Sequence, residues 1–322
     1  MRAWAVIALL LVAAVGATSG RTQAEVEIEA FDLPRGTHPL AVLPAADGTV
    51  WYTAQYGGAL GRLDPASGTI HHIPLGPLSQ PHGVVAGPDG GLWVTDGGQN
   101  AILRVDPVTL EVQSFALTSQ RGPAALNAAT FDRDGRLWFT GQSGVYGRLD
   151  PGSGAIELFR APRGPGPHGI VANRDGMLYF VSPTASYLGR IDPASGLATV
   201  LEPPTAAQGA RGVWPDSAGR LWISEWHAGQ VAVHDPRDDS WQAWRLPGVN
   251  PQPYAIWVDE HDRVWMSDFS ADAIVRFDPA SETFTQFRTA RLGTRVRQLQ
   301  GRPGEVWVPE SGTDRLVVLR HR

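Results

Sequence analysis

The sequence contains no cysteine and no lysine. Without thiols there is no disulfide, no thiolate metal site and no cysteine nucleophile, and a lipid anchor on an N-terminal cysteine is excluded too. Without lysine there is neither Schiff-base chemistry nor a lysine base. All 27 basic residues are arginine. Charge of one sign is not in large excess: the formal net charge is −5, no basic stripe runs along the chain, and nucleic acid is not an expected partner. Long apolar runs are nearly absent. The one present spans Ala3 to Ala17 behind Arg2, short of the roughly twenty residues a membrane span needs. Small residues ending at Val15-Gly16-Ala17 or Thr22-Gln23-Ala24 fit a cleavage site. Residues 1–24 therefore read as a secretory signal, with a retained anchor as the alternative. Residues 25–322 read as a single periplasmic or secreted domain with no further membrane span. After residue 24 apolar residues do not recur at helical spacing.

What recurs instead is tryptophan. Trp51, Trp93, Trp138, Tyr179, Trp222, Trp265 and Trp307 stand 41 to 45 residues apart. Each closes a segment such as Pro88-Asp89-Gly90-Gly91-Leu92-Trp93 or Asp134-Gly135-Arg136-Leu137-Trp138. An Asp-Gly step between an apolar run and an alternating run is a hairpin signal, because glycine takes positive φ without steric cost. A third strand closes on Asp-Pro at Asp64, Asp106, Asp150, Asp192 and Asp278, and on Asp235 before Pro236. Proline cannot donate to the ladder, so the strand stops there. A fourth strand then alternates, as in Thr69-Ile70-His71-His72-Ile73-Pro74 or Ser240-Trp241-Gln242-Ala243-Trp244-Arg245.

Four short antiparallel strands in forty-odd residues is the period of a propeller blade. Seven such units predict an all-β, seven-bladed β-propeller. The seventh unit ends at its third strand, while Val26-Glu27-Ile28-Glu29-Ala30-Phe31 resembles a fourth strand with no blade before it. Pairing that segment with residues 314–320 would complete the last blade and close the ring, removing exposed sheet edges.

In a propeller the first strand of each blade lines a central channel. The residue eleven before each Trp marks the strand tip, and the residue three after it returns to the same face. The tips are Leu40, His82, Asn127, His168, Arg211, Tyr254 and Val296. The returning residues are Ala54, Asp96, Gly141, Ser182, Glu225, Asp268 and Glu310. His38 precedes the first tip by two residues. Glu225, Asp268 and Glu310 lie on consecutive blades, and carboxylates that converge repel one another unless a cation neutralises them. Either Arg211 or a hard divalent cation, magnesium or calcium, would serve. Bland readings stand beside these: Pro-His-Gly recurs at 81–83 and 167–169 as a blade-building element would, and a carboxylate at a strand end accepts backbone donors. The Trp residues read as inter-blade core. His71, His72, His234 and His261 fall on outer strands or turns and read as solvated surface.

The Pro-His-Gly-Val/Ile, Pro-Asp-Gly, Leu-Trp-Val-Thr-Asp and Gly-Arg-Ile-Asp-Pro segments resemble the streptogramin lyase (virginiamycin B lyase) family of seven-bladed propellers, over residues 25–322. The resemblance implies opening of a cyclic depsipeptide at its ester by elimination, with a magnesium ion polarising the carbonyl and a histidine as acid or base. It also implies active histidines at the last two tips, a catalytic Glu after the last Trp and a Tyr at the first tip. The matching positions here hold Tyr254, Val296, Glu310 and Leu40. Only the Glu is matched, and valine moves no proton. The resemblance therefore points to a site displaced onto His82 with Asp96, or His168 with Ser182.

The candidate catalytic residues are thus Glu310, His82, His168 and Tyr254. The candidate cation ligands are Glu225, Asp268 and Glu310, and the candidate substrate contacts are Asp96, Asn127 and Arg211. Three functions fit: a metal-assisted carbon–oxygen lyase acting on a cyclic ester or lactone; a calcium-dependent lactone hydrolase using Glu225, Asn127 and Asp268; and a non-catalytic, monomeric propeller binding a small molecule or a protein at the channel mouth.

Overall fold

Alternating sequence, tight turns and a fixed repeat give a ring of small sheets. The computed structural model describes residues 26–118 and 122–321, and the expected signal segment lies outside them. Among the described residues there is no helix. Twenty-eight strands form seven four-stranded antiparallel sheets. Blade one runs Pro39–Pro44, Val50–Ala54, Ala59–Asp64 and Thr69–Pro74, and five further blades repeat this meander. Among the described residues no helix is long and apolar enough to cross a membrane.

The blade closing the ring takes its strands from both ends of the chain. Its order is Glu27–Asp32, Arg315–Arg320, Glu305–Glu310, Gln300–Arg302. Glu27 faces Arg320 and Asp32 faces Arg315 in an antiparallel ladder. Phe31 stacks on Trp307 at 5.7 Å, so the joint is held by packing as well as by backbone bonds. The ring closes as the sequence predicts.

The repeated Trp residues are buried where neighbouring blades meet; Trp93, for example, shares a cluster with Leu137, Phe139 and Leu149 of the next blade. Their indole N–H groups still need an acceptor. Asp132, Asp216 and Asp259, at the start of three hairpin turns, accept from Trp138, Trp222 and Trp265 at 2.8, 3.0 and 2.9 Å. One turn residue thereby fixes both the hairpin and the core side chain beyond it.

Two sequence expectations need correction. His234 is buried rather than solvated, its ring stacked on Trp241 at 4.5 Å. The side chain that blade seven presents at its tip is also shifted by one residue. In the other hairpins the residue eight before the Trp faces it, as Val85 faces Trp93 and Thr130 faces Trp138. In blade seven Gln300 faces Trp307, because the turn at Pro303-Gly304 is one residue shorter. Val296 therefore goes into the core at 4% exposure, and Arg297 lines the channel.

Candidate functional site

The tips are set by a repeated hydroxyl. The residue two after the Trp accepts from the first strand of its own blade and donates to the tip carbonyl of the next. Thr53 Oγ1 accepts from Ala41 N at 2.9 Å and donates to His82 O at 2.8 Å. Thr95 accepts from Gly83 N at 2.8 Å and donates to Asn127 O at 2.7 Å. Thr140, Ser224 and Ser267 donate in the same way to His168, Tyr254 and Val296. Blade four has Val181 at this position, with no hydroxyl to give. There the His168 ring takes over: its Nδ1 lies 2.7 Å from the Arg211 carbonyl oxygen.

That substitution decides the chemistry of His168. A carbonyl only accepts, so Nδ1 carries the proton and Nε2 is left as an acceptor. The Tyr254 hydroxyl lies 3.2 Å from Nε2 and donates to it. The Arg211 guanidinium carbon sits 4.9 Å from the Tyr254 ring centroid and 5.1 Å from that of Trp226. Phe269 stacks on Tyr254 at 5.1 Å and meets Trp226 edge-on at 5.2 Å. The result is a histidine–tyrosine pair with a cation against the phenol face and an aromatic wall behind it.

This pair borders a cavity of about 520 Å³ on the ring axis. Its lining includes His82, Asn127, His168, Arg211, Tyr254 and Arg297, with Gln298 and Gln300 of blade seven and apolar residues such as Val84, Ile170, Val213 and Ile256. No Asp or Glu lines it. Asn127 Nδ2 lies 3.4 Å from His82 Nε2. Burial, then the charge of Arg297, pushes the His82 imidazole down to about 4. Burial, then His82 and Arg211, pushes His168 down to about 3. Both histidines are therefore neutral at pH 7, and the fixed charge of the cavity is positive.

Of the residues singled out from sequence, His82, Asn127, His168, Arg211 and Tyr254 come together on this cavity. The carboxylates do not join them. Glu310 is 0% exposed and its Oε2 accepts from Arg315 Nε at 2.9 Å, Arg315 Nη2 at 2.7 Å and Thr313 Oγ1 at 2.6 Å. Asp268 Oδ1 accepts from Gln252 N, Ser270 N and Ser270 Oγ. Asp96 accepts from Ser79 Oγ, Gln80 N and Gln99 N, and does not contact His82. Glu225 accepts from Gln230, and burial lifts its carboxyl to about 7. Each side chain serves the end of its own blade, the bland reading of such residues.

The magnesium ion that the family resemblance implies finds no matching donor set. The Arg315 guanidinium already supplies the positive charge at Glu310, and the oxygens of Glu225, Asp268 and Glu310 are not among those that gather within 4.8 Å of one another. The described residues that do gather so are Asp259, Glu260 and His321. There Arg263 holds Asp259 at 2.7 Å and His321 Nδ1 at 2.8 Å, so that group is an ion-paired turn. Sequence reasoning missed Arg297, Trp226 and Phe269. The two aromatics directly follow Glu225 and Asp268, a pairing visible in the repeat alignment.

The model of the family described as the virginiamycin B lyase family matches residues 8–277. Among solved structures, virginiamycin B lyase from Staphylococcus aureus is 21% identical, with a TM-score of 0.86 over 92% of this chain and 100% of that one. A catalytically inactive variant of that lyase with quinupristin gives 20% identity and a TM-score of 0.86, over 92% of this chain and 100% of that one. The extracellular domain of a one-component system protein, BT4673, from B. thetaiotaomicron is 15% identical, with a TM-score of 0.70 over 91% of this chain and 42% of that one. No curated protein matches in sequence.

Proposed function

The chain belongs to the virginiamycin B lyase family, and from that premise we propose that it is a carbon–oxygen lyase whose proton-transfer pair is Tyr254 and His168. The observation that carries this reading is the Tyr254 hydroxyl directed at His168 Nε2, in a cavity with positive charge and no acid. A neutral imidazole whose Nδ1 proton is engaged by a carbonyl can accept only at Nε2, and with its basicity lowered by burial and Arg211 it shares the phenol proton transiently rather than holding it. It does so as the Tyr254 oxygen removes a proton from the substrate carbon beside a carbonyl group. The C–H electron pair becomes a C=C bond. The C–O bond one carbon further breaks with its own pair, and the leaving oxygen takes the proton back through Tyr254. No water is consumed, so the products together weigh what the substrate weighed. Arg211, against the phenol ring, favours the transient phenolate.

The test is mass spectrometry and ultraviolet absorbance on a panel of cyclic esters and lactones. A ring-opened product of unchanged mass with a new conjugated double bond is expected, together with a rate loss of about a hundredfold or more in Tyr254→Phe. A product one water heavier, or undiminished turnover in Tyr254→Phe, overturns it. The second reading, a non-catalytic binding propeller, is favoured by the engagement of Glu310 with Arg315; it predicts saturable binding without turnover. We place the protein outside the cytoplasm, a reading supported by Arg2 and the apolar run behind it.

A further inference from the structure

Arg211 and Arg297 both border the cavity, and among the described residues neither guanidinium meets a carboxylate. Arg211 Nε is buried without a hydrogen-bond partner. Two guanidinium groups in one small cavity repel each other. Both side chains are half-buried, where a charge without a partner is costly, and the aromatic faces of Trp226 and Tyr254 offset only part of that cost for Arg211. A site built this way is complementary to an anion. Asn127 adds neutral donors beside His82, and the apolar part of the cavity, with Val84, Ile170, Val213 and Ile256, receives a ring.

We infer that the ligand of this cavity is a carboxylate with an oxygen substituent on the β carbon and a ring beyond it, the carboxylate being received by Arg211 and Arg297. The inference rests on the lyase reading only for the β oxygen; the preference for charge stands on its own. Planar guanidinium forks match a carboxylate bidentately. In this arrangement they acidify the α carbon, the task that a divalent ion performs where carboxylate ligands surround the substrate. The balance is that of the proposed step: the α proton leaves through Tyr254, the C–O bond to the β substituent breaks, and an unsaturated acid and an alcohol or phenol result.

The test uses 3-phenoxypropanoate and its methyl ester, which differ in charge and share the ring and the β oxygen. Titration calorimetry on the full-length protein at low salt gives both affinities. The acid is expected to bind about tenfold or more tightly than the ester. Arg297→Gln and Arg211→Gln, examined separately, are each expected to remove most of that preference and leave ester binding in place. Arg297→Gln alone suffices should Arg211→Gln fail to fold. Tyr254→Phe should keep the preference. An acid that binds no better than the ester, including binding by neither, overturns the inference, as does a preference that survives both arginine substitutions. Phenol release from the acid is recorded separately. Its absence despite tight binding counts against the lyase reading alone, and turnover confined to neutral esters counts against the carboxylate alone.

Discussion

His168 Nδ1 donates to the Arg211 carbonyl oxygen across 2.7 Å, a bond that a threonine or serine hydroxyl makes between five other pairs of neighbouring blades. A structural bond and the tautomer that the proposed proton transfer needs therefore depend on the same nitrogen. Val181→Thr would return the hydroxyl and compete for the carbonyl. The expected outcome is a melting temperature that holds or rises slightly, with turnover falling about tenfold as His168 loses its fixed tautomer. Nitrogen NMR of the ring and steady-state rates on the same preparation check both halves.

Glu310 and Arg315 are cross-strand neighbours in the closing blade, and both are buried. Removing one member of a buried ion pair leaves the other charge stranded. Glu310→Gln is expected to cost about 3 kcal/mol in urea unfolding while leaving ligand affinity in the cavity unchanged. The double variant Glu310→Gln, Arg315→Met should recover much of the loss. A cavity affinity that fell with Glu310→Gln would place the carboxylate in the site after all.

Glu225 faces Gln230 across the strand pair where Glu310 has Arg315, so among the described residues its charge has no counterion. Its folded value, lifted by burial from 4.5 to about 7, lies above the unfolded one. The sign follows directly: between about pH 4.5 and 7 the unfolded chain releases a proton that the folded chain retains, so stability falls as pH rises through that window. Glu225→Gln, neutral at every pH, is expected to melt several degrees higher than the parent at pH 8 and equally below pH 4.5. Differential scanning calorimetry at both pH values checks this.

The ring was legible in the sequence because its period is written in tryptophans that must be buried and in Asp-Gly turns that must reverse the chain. The cavity was half legible. Spacing from the Trp brought His82, Asn127, His168, Arg211 and Tyr254 to one cavity, since those hairpins have equal length. The same count gave Val296 where the shorter turn of blade seven delivers Arg297. Spacing also brought the carboxylates to the ends of their strands but could not say what would bond them. Their partners are cross-strand neighbours or loop amides, and strand register is set by turn geometry that a residue count does not capture.

The strand Glu27–Asp32 closes the ring and leaves an edge when absent. A chain lacking residues 26–32 is expected to lose ten degrees or more of melting temperature and to associate through the bared Arg315–Arg320 edge. A thermal scan with light scattering at two concentrations distinguishes this from simple fraying.

The same closure sets how the molecule responds to force. Glu27 and Arg320 face each other at one end of an antiparallel ladder, so the two ends of the described chain leave the ring side by side. Ladder bonds run perpendicular to the strands. Tension between the two ends therefore loads those bonds in sequence, starting at Glu27 and Arg320 and ending at Asp32 and Arg315. The ring that resists heat as a whole opens under a pull like a zipper, at the one seam where its beginning meets its end.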